Sequence, residues 1–451
     1  MVIKDRYIRN ILLHVLIGML IYFNESLAKL YFFSIIIYFF FKILRAPNQD
    51  KTLEILKACT YVLGAEVLLR MTKGSLLYEG SKYLVILFAI MGLFHKGFKL
   101  KATSYVLYLL LLIPGIYVSM YLLDVSYNIR KAVAFNLSGP VCLGISALFC
   151  MGITVSKKQL EAIINYGIYP LISTVIYIVF YTPDISEVVS TTGSNFAASG
   201  GYGPNQVATV LGLGAFFATV KFFNYSKIST LRYVNLALIL LFSFRAMTTF
   251  SRGGVLTAII MILCFVFFEY KSMNKRTRSQ MFISLFLFLS VIAATWVYSS
   301  IQTSGLIEKR YANQNAMGEE KADITTGRVY IFMKEVEEFL ESPFLGVGVG
   351  RVKDLRFQET GIHAASHNEM SRILAEHGLL GIMAFTILLL VPLFFRLGDK
   401  SNTLFFSFYF FWFLTINHSA MRIAAPAFIY GLCLLNIRYE KTPVYRKSIE
   451  S

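Results

Sequence analysis

Long apolar runs separated by short polar linkers make up most of this chain. An α-helix needs about 20 mainly apolar residues to cross the hydrocarbon core of a bilayer. The pattern therefore predicts an all-α, polytopic membrane protein of about 12–14 transmembrane helices. The predicted spans are residues 11–24, 29–45, 54–72, 82–95, 104–123, 134–156, 160–181, 205–222, 231–249, 254–270, 281–299, 373–396, 403–417 and 420–437.

The lysines and arginines of the linkers predict the orientation of the spans. Cytoplasmic loops of membrane proteins are enriched in these residues, and cation-rich linkers alternate here with poorer ones. The alternation places both termini in the cytoplasm and residues 183–204, which contain no Lys or Arg, outside. The cation-rich segments are 96–101, 157–158, 221–232, 271–278, 396–400 and the tail 438–447.

Residues 300–372 form the longest polar excursion and are predicted to be one large helical loop on the outer side of the membrane. An apolar stripe at helical spacing predicts an amphipathic helix that begins at Arg328 and that Ser342-Pro343 terminates. A second helix is predicted to begin near His367 and to continue into the next span. The stripe consists of Val329, Phe332, Met333, Val336, Phe339 and Leu340.

Composition narrows the class of protein. Of the 451 residues, 56% are hydrophobic, which is too much apolar surface for one soluble core. The net charge of +17 is compatible with nucleic acid, but most cations lie in linkers between spans, so no nucleic-acid partner is predicted. No small-residue cleavage site follows the first apolar run, which is therefore predicted to be retained. The five cysteines lie in apolar runs without metal-ligand spacing and are predicted to be buried.

Two arginines stand where helices are predicted to begin on the outer side. Arg328 opens the amphipathic helix, and Arg252, followed by two glycines, opens a span. The N-terminal end of a helix disfavours a cation, whereas an anion placed there binds both the guanidinium and the free backbone N–H groups. The alternatives are an anchor at the membrane interface and, for Arg328, an ion pair with Glu335 or Glu338. Together the two arginines suit a diphosphate, which guanidinium groups bind in a bidentate manner.

His367 is the best candidate for a general base among the six histidines. Nearby arginines should lower its pKa from about 6.5, toward the neutral form that a base requires. His363, four residues earlier, would allow a metal pair. The residues between the two histidines resemble a loop and no third ligand is evident, so no metal site is predicted. His377 is predicted to lie on the helix that enters the membrane.

An uncharged loop of small residues leads into the span at 205–222. Tyr202, Asn205 and Gln206 at its end have side chains that could hydrogen-bond to sugar hydroxyls. The alternative is a turn followed by a helix cap. Both interpretations stay open at this point.

Taken together and in order, these residues resemble the O-antigen ligase and O-antigen polymerase superfamily of bacterial envelope glycosyltransferases. The resemblance is firmest over residues 200–395, which are predicted to be the catalytic region, including the loop 300–372. Residues 1–199 would form an N-terminal helix bundle, and residues 396–451 the C-terminal helices and a cytoplasmic tail. The motifs are Ser251-Arg252-Gly253, Thr326-Gly327-Arg328, Pro343-Phe344-Leu345-Gly346-Val347-Gly348, and His367-Asn368 with Gly378 and Gly381 downstream.

The resemblance implies an enzyme that moves a glycan from a polyprenyl diphosphate carrier to an acceptor hydroxyl, without a metal or other cofactor. The reaction would take place on the periplasmic face of the bacterial inner membrane and would invert the anomeric centre. Arg252 and Arg328 would bind the diphosphate, His367 would activate the acceptor, and the adjacent Asn368 would contact the substrate. The partners would be the lipid-linked donor, a glycan or lipid A core acceptor, the bilayer and, for a polymerase, a chain-length regulator.

Three functions are compatible with such a site. The number of predicted spans favours a polymerase of O-antigen or exopolysaccharide repeat units, whereas the lack of basic residues in 182–204 and the His-Asn spacing also fit a ligase that transfers finished glycan to lipid A core. A lipid-linked oligosaccharide flippase or transporter would carry charges deep in its spans and an inverted repeat. No repeat is evident, and the mid-span residues Glu66 and Arg70 can pair with each other. The prediction is a polymerase, with the ligase as its alternative.

Overall fold

The protein is built almost entirely of α-helices in a computed structural model that describes residues 5–97, 99–122, 128–224, 229–273, 275–321, 323, 327–361, 366–398 and 400–438. The helices are α1 (Arg6–Phe23), α2 (Leu27–Arg45), α3 (Asn48–Met71), α4 (Gly80–Lys96), α5 (Thr103–Leu111), α6 (Ile113–Leu122), α7 (Ile129–Cys150), α8 (Lys157–Tyr181), α9 (Pro204–Asn224), α10 (Ser229–Thr248), α11 (Arg252–Ser272), α12 (Lys275–Gln302), α13 (Leu306–Tyr311), α14 (Arg328–Glu341), α15 (Arg351–Thr360), α16 (Glu369–Gly398), α17 (Phe405–His418) and α18 (Ala424–Cys433).

Within the described residues, ten helical segments are long and apolar enough to cross a membrane. They are α1, α2, the segment Leu100–Tyr121 that contains α5 and α6, α7, α8, α9, α10, α11, α12 and α16. Every predicted apolar run contains a helix, which confirms the all-α polytopic class, although the last residues of the predicted runs 134–156 and 420–437 form short strands instead. The other four runs form α3, which carries several charged residues, and the shorter α4, α17 and α18.

Two of these segments contain a break. Helix α5 gives way to α6 at Leu112, two residues before Pro114, whose ring leaves no N–H for a helical hydrogen bond. Helix α16 contains a kink at Gly378, whose φ of +59° is outside the helical region. Both breaks lie close to the glycine loop described below.

Helix α9 lies at the centre of the bundle, and its residues are buried almost without interruption from 204 to 222. It packs closely on α11, because a Cβ on Gly254 would lie only 2.6 Å from Ala208. Small residues let membrane helices approach this closely and gain van der Waals contact. The contact holds the first turn of α11, and with it Arg252, against the core.

The described residues also contain two short strands, which the sequence did not predict. β1 (Thr154–Ser156) pairs in parallel with β2 (Asn436–Arg438), with Val155 opposite Ile437. Ser156 then caps α8 in a reciprocal arrangement with Gln159. The pairing joins the turn between α7 and α8 to the segment after α18.

The polar excursion is helical, as predicted. Helix α14 begins at Arg328 and ends before Ser342, and α16 begins two residues after His367. Helices α13 and α15 were not predicted. The end of the bundle that carries α14 and α15 is named the outer end here. In the predicted apolar stripe of α14, Val329, Met333 and Leu340 are more than half exposed and the other three residues are partly buried, whereas Glu335 is fully buried.

Candidate active site

Arg252 lies at the start of α11 on a constrained turn. The preceding Phe250 has a left-handed φ of +58°, which a bulky residue rarely adopts. The carbonyl of Phe250 accepts a hydrogen bond from Arg310 Nε at 3.0 Å, and Arg252 Nη1 donates to the carbonyl of Arg310 at 3.4 Å. Ser251 Oγ donates to Asn205 Oδ1 at 2.8 Å. The loop 249–251 is therefore held on both sides before Arg252 begins the helix.

Arg328 lies at the start of α14 and close to Arg252. The cap residue Gly327 has a φ of +79°, and its N–H donates to Asp323 Oδ2 at 2.6 Å. Burial and the positive charge of Arg252 lower the pKa of Arg328. Thr326, the first residue of the predicted motif, lies outside the described residues. Two guanidinium groups that repel each other in a half-buried position form a site that favours an anion.

His367 shares a cavity of about 180 Å³ with Arg328. The His367 carbonyl accepts a hydrogen bond from the N–H of Ala420 at 3.1 Å, and the buried ring atom Nδ1 has no partner among the described residues. Burial, followed by the charges of Arg422 and Arg328, lowers the pKa of His367 to about 4. The predicted shift toward a neutral imidazole is thereby confirmed. The other residues that line the cavity are Val329, Ile331, Phe332, Asn368 and Asn417.

The other predicted substrate contacts have structural partners. Asn368 Oδ1 accepts from the N–H of Met370 at 2.9 Å and of Ser371 at 3.2 Å, which caps α16. Asn205 is bonded to the Ser251 hydroxyl, as described above, and Gln206 is buried. Asn368 also lines the cavity that contains His367. Asn205 contacts Ser251, the residue that precedes α11. Substrate contact by all three residues stays a prediction.

Glu335 connects the helix that begins with Arg328 to the segment that carries His367. Its Oε1 accepts from Arg356 Nη2 at 3.0 Å, and its Oε2 accepts from the hydroxyls of Ser366, at 3.2 Å, and Ser371. Burial raises the pKa of Glu335, and these hydrogen bonds partly oppose the change. Glu335, considered as an ion-pair partner of Arg328, therefore pairs with Arg356 instead.

The glycine loop between α14 and α15 contributes to the packing of α14 on α16 through its backbone. Gly346, Gly348 and Gly350 all have positive φ. The N–H of Val347 donates to the carbonyl of Ala375 at 2.9 Å, and a Cβ on Gly346 would lie 2.4 Å from the backbone of α16. The loop therefore needs glycine because two backbones approach closely there. Its contacts are with protein, and they hold α14 against α16.

A buried charge network supports the start of α16. The Arg372 guanidinium contacts the carboxylates of both Glu369 and Glu376, and its Nη2 donates to the Asn136 carbonyl at 3.0 Å. Glu376 Oε1 accepts from the N–H of Gly350 at 2.8 Å. This network was not predicted from the sequence, although acidic residues three before and four after an arginine on a helix would have indicated it.

Three further cations surround the predicted pair and were also missed. Burial, then Arg252 and Arg328, lowers the pKa of Arg310, and burial, then Arg310, lowers the pKa of Lys321. Arg422 Nη2 donates to the Ser366 carbonyl at 2.8 Å. These residues come from separate segments of the chain, so no local motif links them. Positive charge therefore accumulates at the site, an arrangement that favours binding of an anion.

The histidines give no indication of a metal centre in the described part of the chain. No group of three or more potential His, Cys, Asp or Glu ligands occurs there. His363, considered as a metal ligand beside His367, lies outside the described residues. His418 Nε2 lies 3.2 Å from Thr209 Oγ1, and its ring packs against Gly253 next to Arg252.

The fold and this site together define a polytopic α-helical membrane protein with a cluster of arginines near a histidine whose pKa is lowered. Residues 236–386 match the family model described as O-antigen ligase, which confirms the resemblance to the O-antigen ligase and polymerase superfamily. The matched region includes Arg252, Arg328, His367 and Asn368. No curated protein matches the chain. The family supports glycosyl transfer of the O-antigen ligase or polymerase type as the general activity.

Proposed function

We propose that this protein transfers a glycan from a polyprenyl diphosphate carrier to an acceptor hydroxyl on the periplasmic face of the bacterial inner membrane. The observation that carries the proposal is that Arg328 lies close to both Arg252 and His367, although the three residues belong to separate segments. Each arginine begins a helix, and the N-terminal end of a helix favours the binding of an anion. A diphosphate between the two guanidinium groups would relieve their mutual repulsion.

The proposed reaction is a direct displacement. Neutral His367 accepts the proton of the acceptor hydroxyl as its oxygen forms a bond to the anomeric carbon. The bond between that carbon and the diphosphate oxygen breaks, and the electron pair leaves with the diphosphate. Arg252 and Arg328 stabilise the charge that develops on this leaving group, which is worth most in a site with little water. General-base catalysis adds on the order of 10²–10⁴ in rate.

Polymerisation of O-antigen or exopolysaccharide repeat units is the preferred form of this reaction. The fourteen spans predicted from the sequence favour a polymerase over a ligase that transfers finished glycan to lipid A core, and ten helical segments of the described residues are long and apolar enough to cross a membrane. The pairing of Arg70 with Glu66 at 2.7 Å supports a structural role for the charges inside the bundle. That pairing weighs against a flippase or transporter.

Surface glycan profiles of a deletion strain complemented with wild-type protein or His367→Ala test the proposal. A polymerase predicts that glycan ladders collapse to a single repeat without the protein, and a ligase predicts loss of long chains while carrier-linked polymer accumulates. The His367→Ala variant should behave like the deletion while its expression and membrane insertion stay normal. Glycan of wild-type length in that variant would exclude His367 as the base.

A further inference from the structure

A second and larger cavity opens at the outer end, with a volume of about 750 Å³. Its walls come from three segments that are distant in sequence: the connection between α3 and α4, the first turns of α7, and the start of α15. Ligand cavities in proteins commonly measure about 300–1,000 Å³, so this one has room for an oligosaccharide segment. Among the residues that line it are Tyr78, Glu79, Tyr83, Asn128, Phe135 and Lys353.

The lining has the mixture of groups that a sugar ring requires. A sugar presents apolar C–H faces, which pack on aromatic rings such as those of Tyr78, Tyr83 and Phe135. It also presents hydroxyls around its edge, which need donors and acceptors such as the amide of Asn128 and the ammonium of Lys353. A site for a lipid tail would need no such polar groups.

Glu79 provides an independent indication of a ligand. It is only 7% exposed, and its Oε2 accepts from Lys82 at 2.7 Å, from Arg70 at 3.2 Å and from Ser138 at 3.2 Å. Its Oε1 has no hydrogen-bond partner among the described residues. A buried carboxylate oxygen without a donor is costly. A ligand hydroxyl in the cavity that Glu79 lines would supply the missing donor.

A small cavity of about 30 Å³ has walls in common with both this space and the catalytic segment. It shares Phe135 and Lys353 with the large cavity, and it is also lined by Glu335, Ser366 and Arg422. Its volume holds about one or two water-sized groups and no sugar ring. A saccharide in the large cavity would therefore present only a hydroxyl-bearing edge toward the segment that contains His367.

We propose that the large cavity binds the acceptor saccharide, while the donor diphosphate lies on the opposite side of His367, against Arg252 and Arg328. The assignment rests on the proposed transferase function. In this arrangement the donor and the acceptor of the transfer occupy two separate sites at the outer end. The acceptor oxygen that forms the new bond to the anomeric carbon approaches from the α7 and α15 side, and its proton passes to His367.

Protection of an engineered cysteine tests this assignment without relying on transfer. Lys131→Cys places a thiol on the exposed wall of the cavity, and Met317→Cys, at an 85% exposed position of the excursion, is the matched control. Both are built in a background of Cys264→Ser, which removes the incompletely buried cysteine of the described chain, and His367→Ala. The rate of maleimide labelling is measured in nanodiscs. The probe is the repeat-unit oligosaccharide released by mild acid from the producing cell's carrier-linked pool.

The oligosaccharide is expected to slow labelling of Lys131→Cys several-fold and to leave Met317→Cys unchanged. Polyprenyl diphosphate and inorganic diphosphate should protect neither thiol. Absence of protection by the oligosaccharide would overturn the assignment, and equal protection by polyprenyl diphosphate would make the cavity a carrier site instead. Protection together with a catalytically normal His367→Ala variant would refute the proposed chemistry and leave the saccharide site standing.

A kinetic measurement gives a second, separate test. Phe135→Ala, made in the otherwise wild-type enzyme, removes one of the aromatic rings of the cavity. It is expected to raise the KM for the acceptor several-fold while the KM for the lipid-linked donor stays unchanged. The opposite pattern, with only the donor KM raised, would contradict the placement of the acceptor.

Discussion

Replacement of Glu335 by Gln is the sharpest test of how the site is assembled. The buried carboxylate of Glu335 holds α14, which begins with Arg328, against the segment around His367 through Arg356, Ser366 and Ser371. Glutamine keeps the shape of the side chain and removes its charge. The substitution therefore weakens this connection without opening a cavity.

The stability that Glu335→Gln is expected to lose is large compared with the loss from a substitution at a surface position. The charge-assisted hydrogen bond from Arg356 alone is worth about 1.5–3 kcal/mol, and its guanidinium is left buried beside a neutral amide. Glu337 lies two residues along the same helix and pairs with Lys334 at 2.9 Å in an exposed position. An exposed pair of this kind is worth about 0.2–1 kcal/mol. Glu337→Gln is therefore the matched control.

The assay compares thermal unfolding in detergent and glycan transfer for the two variants. Glu335→Gln is expected to lower the apparent Tm clearly and to slow transfer, because Arg328 and His367 are no longer held in register. Glu337→Gln should change neither property. If the two variants unfold at the same temperature and transfer glycan at the same rate, Glu335 does not hold the site together and this reasoning is wrong.

Three further predictions concern orientation, leaving-group binding and pH. A cysteine introduced at Gln314 should react with a membrane-impermeant thiol reagent in outer-membrane-permeabilised cells and one at Ser279 should not; the reverse pattern would place the site in the cytoplasm. Arg252→Lys and Arg328→Lys keep the positive charge but lose the planar guanidinium group. Each substitution should therefore slow transfer by the purified protein roughly tenfold or more, because one lost hydrogen bond costs about 1.5–3 kcal/mol. Transfer at the wild-type rate would show that both arginines are anchors at the membrane interface. Because the pKa of His367 is lowered to about 4, kcat/KM should fall only as the pH drops through about 4, and an acid limb near pH 6.5 would contradict this. The unfolded imidazole already binds a proton near pH 6.5, so this group also makes folding stability decrease as the pH falls from about 6.5 to about 4.

The helices were predictable because the reason for them is local. A backbone in a bilayer must satisfy its own hydrogen bonds, and a long apolar run can do this only as a helix. The start of α14 at Arg328 and its end before Ser342 were predictable from periodicity and from Pro343, which are also local features of the sequence. The charge pair of Glu66 and Arg70 was also predictable, because both residues lie on one face of one helix.

The surroundings of the site were not predictable in the same way. Arg356 reaches Glu335 across 21 residues, and Arg422 reaches Ser366 across 56 residues. Periodicity contains no information about such pairs. The glycine motif 346–350 was recognised as a place for tight turns, but its partner, the backbone of α16 near Ala375, is evident only from the packing.

The sequence by itself determined the membrane class and the helix starts at Arg252 and Arg328, and it predicted His367 as the general base. Only the tertiary structure decided that Arg328 lies close to both Arg252 and His367, that Glu335 is buried on a helix whose apolar stripe is partly exposed, and that a cavity of about 750 Å³ opens at the outer end. Helix formation depends on neighbours a few residues apart, which the sequence displays. The electrostatics of the site depend on which helices pack together, because burial and the charge of distant arginines set the pKa of His367.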